Sequence, residues 1–192
     1  MTIGFSVEGS FDRALLKGLQ QRWCPAAALL EGRFRGTTGQ SARREIPNVC
    51  VELCAKGADL IVFLRDANLE DWRVVVRAEE NRCRPEHRHL AIFGVCDRNV
   101  ECWIAADPDW LAQETAHSPE EFRGHDPKDA VWAALGIVGR DRKETEIIAL
   151  VQRAPLCNWL NNASFADFYD KLWQKSKEHR CALENLREEP VP

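Results

Sequence analysis

The sequence predicts an α/β fold: a mostly parallel sheet flanked by helices, with a helical C-terminal part. Residues 58–64 (ADLIVFL) are almost continuously apolar, as in a strand covered on both faces of a parallel sheet. Two further short apolar runs, at 3–7 and 90–95, are separated from it by stretches with helical spacing, the alternation that builds parallel strands with crossover helices. Beyond about residue 113 the chain carries capped helical patterns and no strand-like run.

The first apolar run ends at Glu8-Gly9-Ser10, and Phe11, Leu15 and Leu19 then recur on one helical face, with Ser10 as N-cap and Asp12 in the first turn. Residues 26–30 form a second candidate strand, followed by a loop with Gly32, Gly36 and Gly39. Ile46, Cys50 and Leu53 share the next helical face, with Pro47 at an early helix position and Gly57 as the stop. The run at 58–64 delivers Arg65, Asp66 and Asn68 at its carboxyl end. A helix with Trp72 and Val76 inward is expected over 69–82, with Asn68 placed as its cap. Later helix starts are read at Asp126-Pro127, at Asp141 through Glu144, and at Ser164. This divides the chain into an α/β core over 1–113, a helical extension over 114–178 and a charged tail over 179–192 that is expected to fray.

The formal net charge of −4 gives the whole molecule no long-range attraction for nucleic acid. The cations are biased, however: 19 of the 26 basic residues are Arg, ten of them between Arg33 and Arg88. Arg forms bidentate pairs with phosphate, so this segment reads either as a solvated surface or as a phosphate-facing patch. No apolar run is long enough to span a bilayer and no secretory signal opens the chain, so a cytoplasmic protein without a membrane partner is expected. In that compartment the eight Cys read as reduced, mostly core-filling thiols.

Ligands in parallel sheets bind beyond the carboxyl ends of the strands. Glu8 and Asp66 fall at that edge, and Gly9 permits close approach of a substrate backbone. Glu101, flanking the inward face made by Val100, Trp103 and Ile104, is a candidate third carboxylate. Such oxygens suit a hard divalent cation. Lys128 and Lys143, near helix starts, are candidate phosphate contacts, as is Arg65.

Phe5-Ser6-Val7-Glu8-Gly9-Ser10 resembles the strand-plus-glutamate motif of TOPRIM domains, the Rossmann-like fold shared by topoisomerases, primases and overcoming-lysogeny-defect nucleases. Asp66-Ala67-Asn68 is similar to that family's Asp-x-Asp motif, with Asn68 in place of the second acid. Glu101-Cys102-Trp103, Ala106-Asp107-Pro108 and Ser164-Phe165 are similar to segments of small stand-alone bacterial TOPRIM-like proteins. The resemblance implies Mg²⁺- or Mn²⁺-dependent phosphodiester hydrolysis in antiphage defence or DNA maintenance, with Glu8 and Asp66 catalytic and Glu8, Asp66, Asn68 and Glu101 as metal ligands. It also implies nucleic acid as partner and, because the chain has no Gly-x-x-x-x-Gly-Lys loop, any ATPase as a separate protein. A non-catalytic metal- or nucleic-acid-binding subunit of a larger complex is the alternative, and self-association stays open. Cys50, Cys54, Cys83, His87 and His89 offer zinc-type ligands, but Cys50 lies on the apolar face with Ile46 and Leu53, which assigns it to packing.

Overall fold

The computed structural model describes residues 1–32, 39–124, 126–137, 144–179, 181 and 183–188. Four strands, β1 (Thr2–Val7), β2 (Ala28–Glu31), β3 (Leu60–Asp66) and β4 (Ala91–Cys96), form one all-parallel sheet in the order β2-β1-β3-β4. Between the strands run α1 (Ser10–Trp23), α2 (Gly39–Ala55), α3 (Trp72–Arg82) and α4 (Pro85–Arg88). The helical C-terminal part comprises α5 (Glu101–Ile104), α6 (Pro108–Thr115), α7 (Lys128–Ala134), α8 (Glu144–Arg153), α9 (Leu156–Trp159) and α10 (Ala163–His179). This is the α/β architecture the sequence predicts, consistent with a Rossmann-like fold.

Several boundaries differ from the sequence reading. β3 extends through Arg65 and Asp66, so both candidate residues belong to the strand rather than to the loop after it. α2 begins before Ile46 and takes Pro47 into its interior. α3 starts at Trp72, and its cap is Asp71, whose carboxylate accepts from the Arg73 amide at 2.8 Å. Asn68 instead occupies the left-handed region, φ 56°, which an Asn tolerates in a turn. Ser164 is not the cap of α10. Asn162 Oδ1 accepts from the Ser164 and Phe165 amides at 3.0 and 3.3 Å, while Ser164 is buried.

Strand alternation sends Ile3, Phe5, Val7, Leu60, Val62, Leu64 and Ile92 into the larger core, against α1, α8 and α10. Ile61, Phe63 and Phe93 meet Ile46, Val49 and Leu53 of α2 on the opposite face. The larger core runs from Ile3 to Leu186, so the C-terminal helices share it with the sheet. Two glycines set the closest approaches. A Cβ on Gly94 of β4 would lie 2.7 Å from the Phe168 ring of α10, and one on Gly18 of α1 would lie 2.7 Å from Val151 Cβ of α8.

The described part of the tail docks rather than fraying. Leu183 and Leu186 are buried, the Leu186 amide donates to Tyr169 Oη at 3.0 Å, and Arg187 pairs with Asp170 at 2.7 Å. Cys24, at the end of α1, forms a disulfide with Cys181 across a sequence separation of 157 residues. The expectation of eight reduced thiols is corrected by this pair. The six other cysteines are free, and among them Cys50 and Cys83 lie in the apolar cluster behind the sheet.

Two stability outcomes follow from this packing. Gly18→Ala lowers stability by about 1–3 kcal/mol through overpacking, although Ala is the better helix former by about 1 kcal/mol. Reduction, or Cys181→Ser, frees a long loop in the unfolded chain and lowers stability by up to about 5 kcal/mol. Thermal unfolding of both variants, with and without reductant, measures each effect.

Candidate active site

The strand order reverses direction between β1 and β3: the chain leaves β1 for β2 on one side and reaches β3 and β4 on the other. A crevice opens beyond the carboxyl ends at such a point. Glu8 follows β1 directly and is exposed, and Asp66 closes β3.

Arg65 ties these strand ends together. It is 2 % exposed, and its guanidinium donates to the Ser6 carbonyl at 2.7 Å, to Ser6 Oγ at 3.0 Å and to the Leu64 carbonyl at 2.9 Å. It also lies over the Phe63 ring at 5.7 Å. Burial pulls its pKa down, and Glu79, Glu8, Asp12 and Asp66, in that order, oppose the shift. Glu79, on α3, is itself 0 % exposed. Arg65 therefore sits beneath the strand ends rather than on the surface.

Asp12 joins the site from the first turn of α1. Its Oδ2 accepts from the Gly9 amide at 2.7 Å, the N3 half of a capping box, since Gly9 has no side chain to make the other half. Burial raises its pKa, while the Gly9 and Glu8 amides and the charges of Arg65 and Lys128 lower it. Asp66 Oδ1 accepts from the Val100 amide at 3.1 Å. Burial, followed by the charges of Asp12, Glu8 and Glu101, pushes Asp66 up to about 8, with Lys128 opposing. Glu101 is 2 % exposed and accepts a hydrogen bond from the Trp132 indole. Its pKa is raised by burial, with Lys128 and Trp132 among the groups that oppose the shift and Asp12 among those that add to it.

α7 closes the site. Lys128 lies over the Trp132 ring at 5.2 Å, and Trp132 stacks on Phe11 at 6.4 Å. Lys128 thus lowers the pKa of Asp12, Asp66 and Glu101, all three held up by burial. Nearby, Asn99 Nδ2 donates to Asp126 Oδ1 at 2.8 Å, which holds the Asp126 carboxyl low.

Of the residues singled out from sequence, Glu8, Arg65, Asp66, Glu101 and Lys128 therefore gather at one edge. Asn68 is exposed beside it, its amide donating to the Asp66 carbonyl at 3.3 Å and its backbone N–H to the Arg98 carbonyl at 2.7 Å. Lys143 lies outside the described residues. The sequence reading missed Asp12 and Trp132. The signal for Asp12 was its third position after Gly9; Trp132 carries no local signal, because its role depends on how α7 folds over the edge.

Four carboxylates at one carboxyl edge offer the oxygen donors a hard divalent cation takes. The oxygens of Asp12, Asp66 and Glu101 are turned to separate N–H donors, and among the described residues no three His, Cys, Asp or Glu side chains converge to hold a metal ion. The residues fit such an ion in donor chemistry and charge, and binding it requires Asp66 and Glu101 to turn from the Val100 amide and the Trp132 indole.

Asp66 carries a pH signature. Its folded pKa exceeds that of an ordinary aspartate, so between about pH 4 and pH 8 the folded state binds more protons than the unfolded state. Stability therefore falls as pH rises through that window. Asp66→Asn retains an acceptor for the Val100 amide and removes this contribution. The melting temperature of wild type should drop between pH 5 and pH 9, and that of the variant should drop less; parallel profiles would contradict the buried-acid assignment.

Compared with known proteins, the chain matches no family model, no curated protein and no solved structure, so the functional reading rests on the chemistry of this edge.

Proposed function

We propose that this carboxyl edge is the active site of a metal-dependent phosphodiester hydrolase acting on nucleic acid. The observation that carries the reading is the gathering of Glu8, Asp12, Asp66 and Glu101 at the switch point, where burial and then the charges of its neighbours raise Asp66 to about 8 against the opposing charge of Lys128. A site that holds like charges together against their repulsion is poised to accept a cation. The resemblance of the Glu8 and Asp66 segments to TOPRIM motifs supports the same reading.

In this scheme Glu8, Asp66 and Glu101 hold Mg²⁺ or Mn²⁺, with Asp12 maintaining the negative field behind them. The bound ion would supply Lewis-acid stabilisation of the phosphodiester and lower the pKa of an attacking water. Glu8, the exposed member, is placed to take the proton from that water. Lys128, held by the Trp132 ring, is placed to contact a non-bridging phosphate oxygen. Arg65 acts from below as a positioning residue, keeping the β1 and β3 ends in register.

The turn conformation of Asn68 favours a second reading. With its amide committed to the Asp66 carbonyl and no charge of its own, the site would bind metal and nucleic acid more readily than it turns over, as in a non-catalytic subunit of a complex. A separate ATPase partner is compatible with either reading.

Glu8→Gln and Asp66→Asn should each lower Mn²⁺- or Mg²⁺-dependent cleavage of plasmid, single-stranded DNA or RNA by at least about 100-fold, or roughly 3 kcal/mol in barrier, with unchanged circular dichroism. Cleavage surviving both substitutions would overturn the site. Metal binding by calorimetry without cleavage of any substrate would favour the non-catalytic subunit.

A further inference from the structure

We infer that the outer face of α3 and α4 is a nucleic-acid-binding ridge that carries the phosphate backbone of the substrate toward the carboxyl edge. The inference takes its ligand class from the hydrolase reading, and its location from the distribution of charge on these two helices.

Arg73, Arg77, Arg82, Arg84 and Arg88 are all exposed, whereas Trp72, Val75, Val76 and Glu79 form the buried side of α3. The acids of the same segment are drawn off elsewhere. Glu79 is fully buried and is the charge acting most strongly on Arg65, and Glu80 is paired with Lys171 of α10 at 3.0 Å. Of the acids between Trp72 and Arg88, this leaves Glu86 as the one outside such a commitment. Among the described residues Arg77, Arg82 and Arg84 make no side-chain hydrogen bond or ion pair. Arg73 lies 4.0 Å from Asp71 and 4.4 Å from the Trp72 ring centroid. In a protein of net charge −4, five outward arginines, with Glu79 buried and Glu80 drawn to α10, outnumber the acids Asp71 and Glu86 that stay beside them and make a local field of the opposite sign.

The direction of the ridge fits a strand of nucleic acid. α3 starts a few residues after Asp66, so Arg73 lies within its first turn at the carboxyl edge, and Arg77 follows about 6 Å along the axis. Its 11 residues carry the row about 16 Å away from the edge. The two most exposed large apolar side chains among the described residues, Leu69 at 87 % and Val74 at 57 %, belong to the same segment. Cationic groups beside exposed apolar side chains suit a ligand that has both phosphates and base or sugar surfaces.

The test is binding, measured without divalent metal, of fluorescein-labelled single-stranded and duplex oligonucleotides by fluorescence anisotropy over a series of salt concentrations. Arg77→Glu/Arg84→Glu should weaken binding by at least about tenfold at low salt and reduce the slope of log K against log salt by about two. Arg123→Glu/Arg153→Glu, the same change of net charge on the helical C-terminal part, should leave both nearly unchanged. Arg77→Gln and Arg84→Gln should give smaller steps of the same sign. Equal loss in the ridge pair and the control pair would reduce the effect to net charge and overturn the ridge, as would wild type that binds neither oligonucleotide at low salt. Binding through the ridge by a protein that cleaves nothing would uphold the ridge while overturning the hydrolase reading.

Discussion

A buried guanidinium beneath the carboxyl edge is the constraint around which this site is arranged. Burying an ion costs several kcal/mol unless it is paired and hydrogen-bonded. Arg65 meets part of that cost: Ser6 and Leu64 accept from its two terminal nitrogens, and Glu79, Glu8, Asp12 and Asp66 act on it with opposite charge. Because Ser6 lies on β1 and Arg65 on β3, the same bonds that satisfy the charge hold the two strand ends from which Glu8 and Asp66 emerge. The requirement also reaches α3, whose buried Glu79 would be an unfavourable choice against an apolar sheet face without that guanidinium.

The carboxylates above are the other half of that balance. Each of Asp12, Asp66 and Glu101 is held by an N–H donor from a different element, which fixes its position while burial raises its pKa, joined at Asp66 and Glu101 by the charge of neighbouring carboxylates. Lys128 is the cation of the set that rests on an aromatic face rather than in a bidentate pair. A group so placed can exchange partners when a second cation or a phosphate enters, and such an exchange would change the charge balance without rearranging the sheet.

The helical part beyond β4 is integral to the site. Ser164 illustrates how. Its hydroxyl accepts from the Asp97 amide at 2.9 Å and from the Trp103 indole at 2.7 Å, and donates to Asn162 Oδ1 at 2.8 Å. One buried oxygen thus joins the exit of β4, the helix that carries Glu101 and the start of α10. α7 then brings Lys128 and Trp132 across the same edge, and the disulfide and docked tail secure α1 on the far side of the core.

The sequence by itself determined the α/β class, the four strands to within two residues at each described end, and the placement of Glu8 and Asp66 at a carboxyl edge. These follow from local period, apolar runs and turn residues, which act over a few positions. It also marked Glu101 and Lys128, though for reasons narrower than the roles they take. Tertiary structure alone decided that the order is β2-β1-β3-β4, with the switch point between Glu8 and Asp66. It turned Arg65 inward because the alternation of β3 points it to the α3 side, beneath Ser6, and it made Asp12 a member of the acid cluster through the capping of α1. It paired Cys24 with Cys181 across a separation no local pattern can read, and it left Asn68 in a turn, because its neighbour on β4's exit supplies the backbone partner. Burial and long-range contact set the charges of this site, and neither is a property of any short stretch of residues.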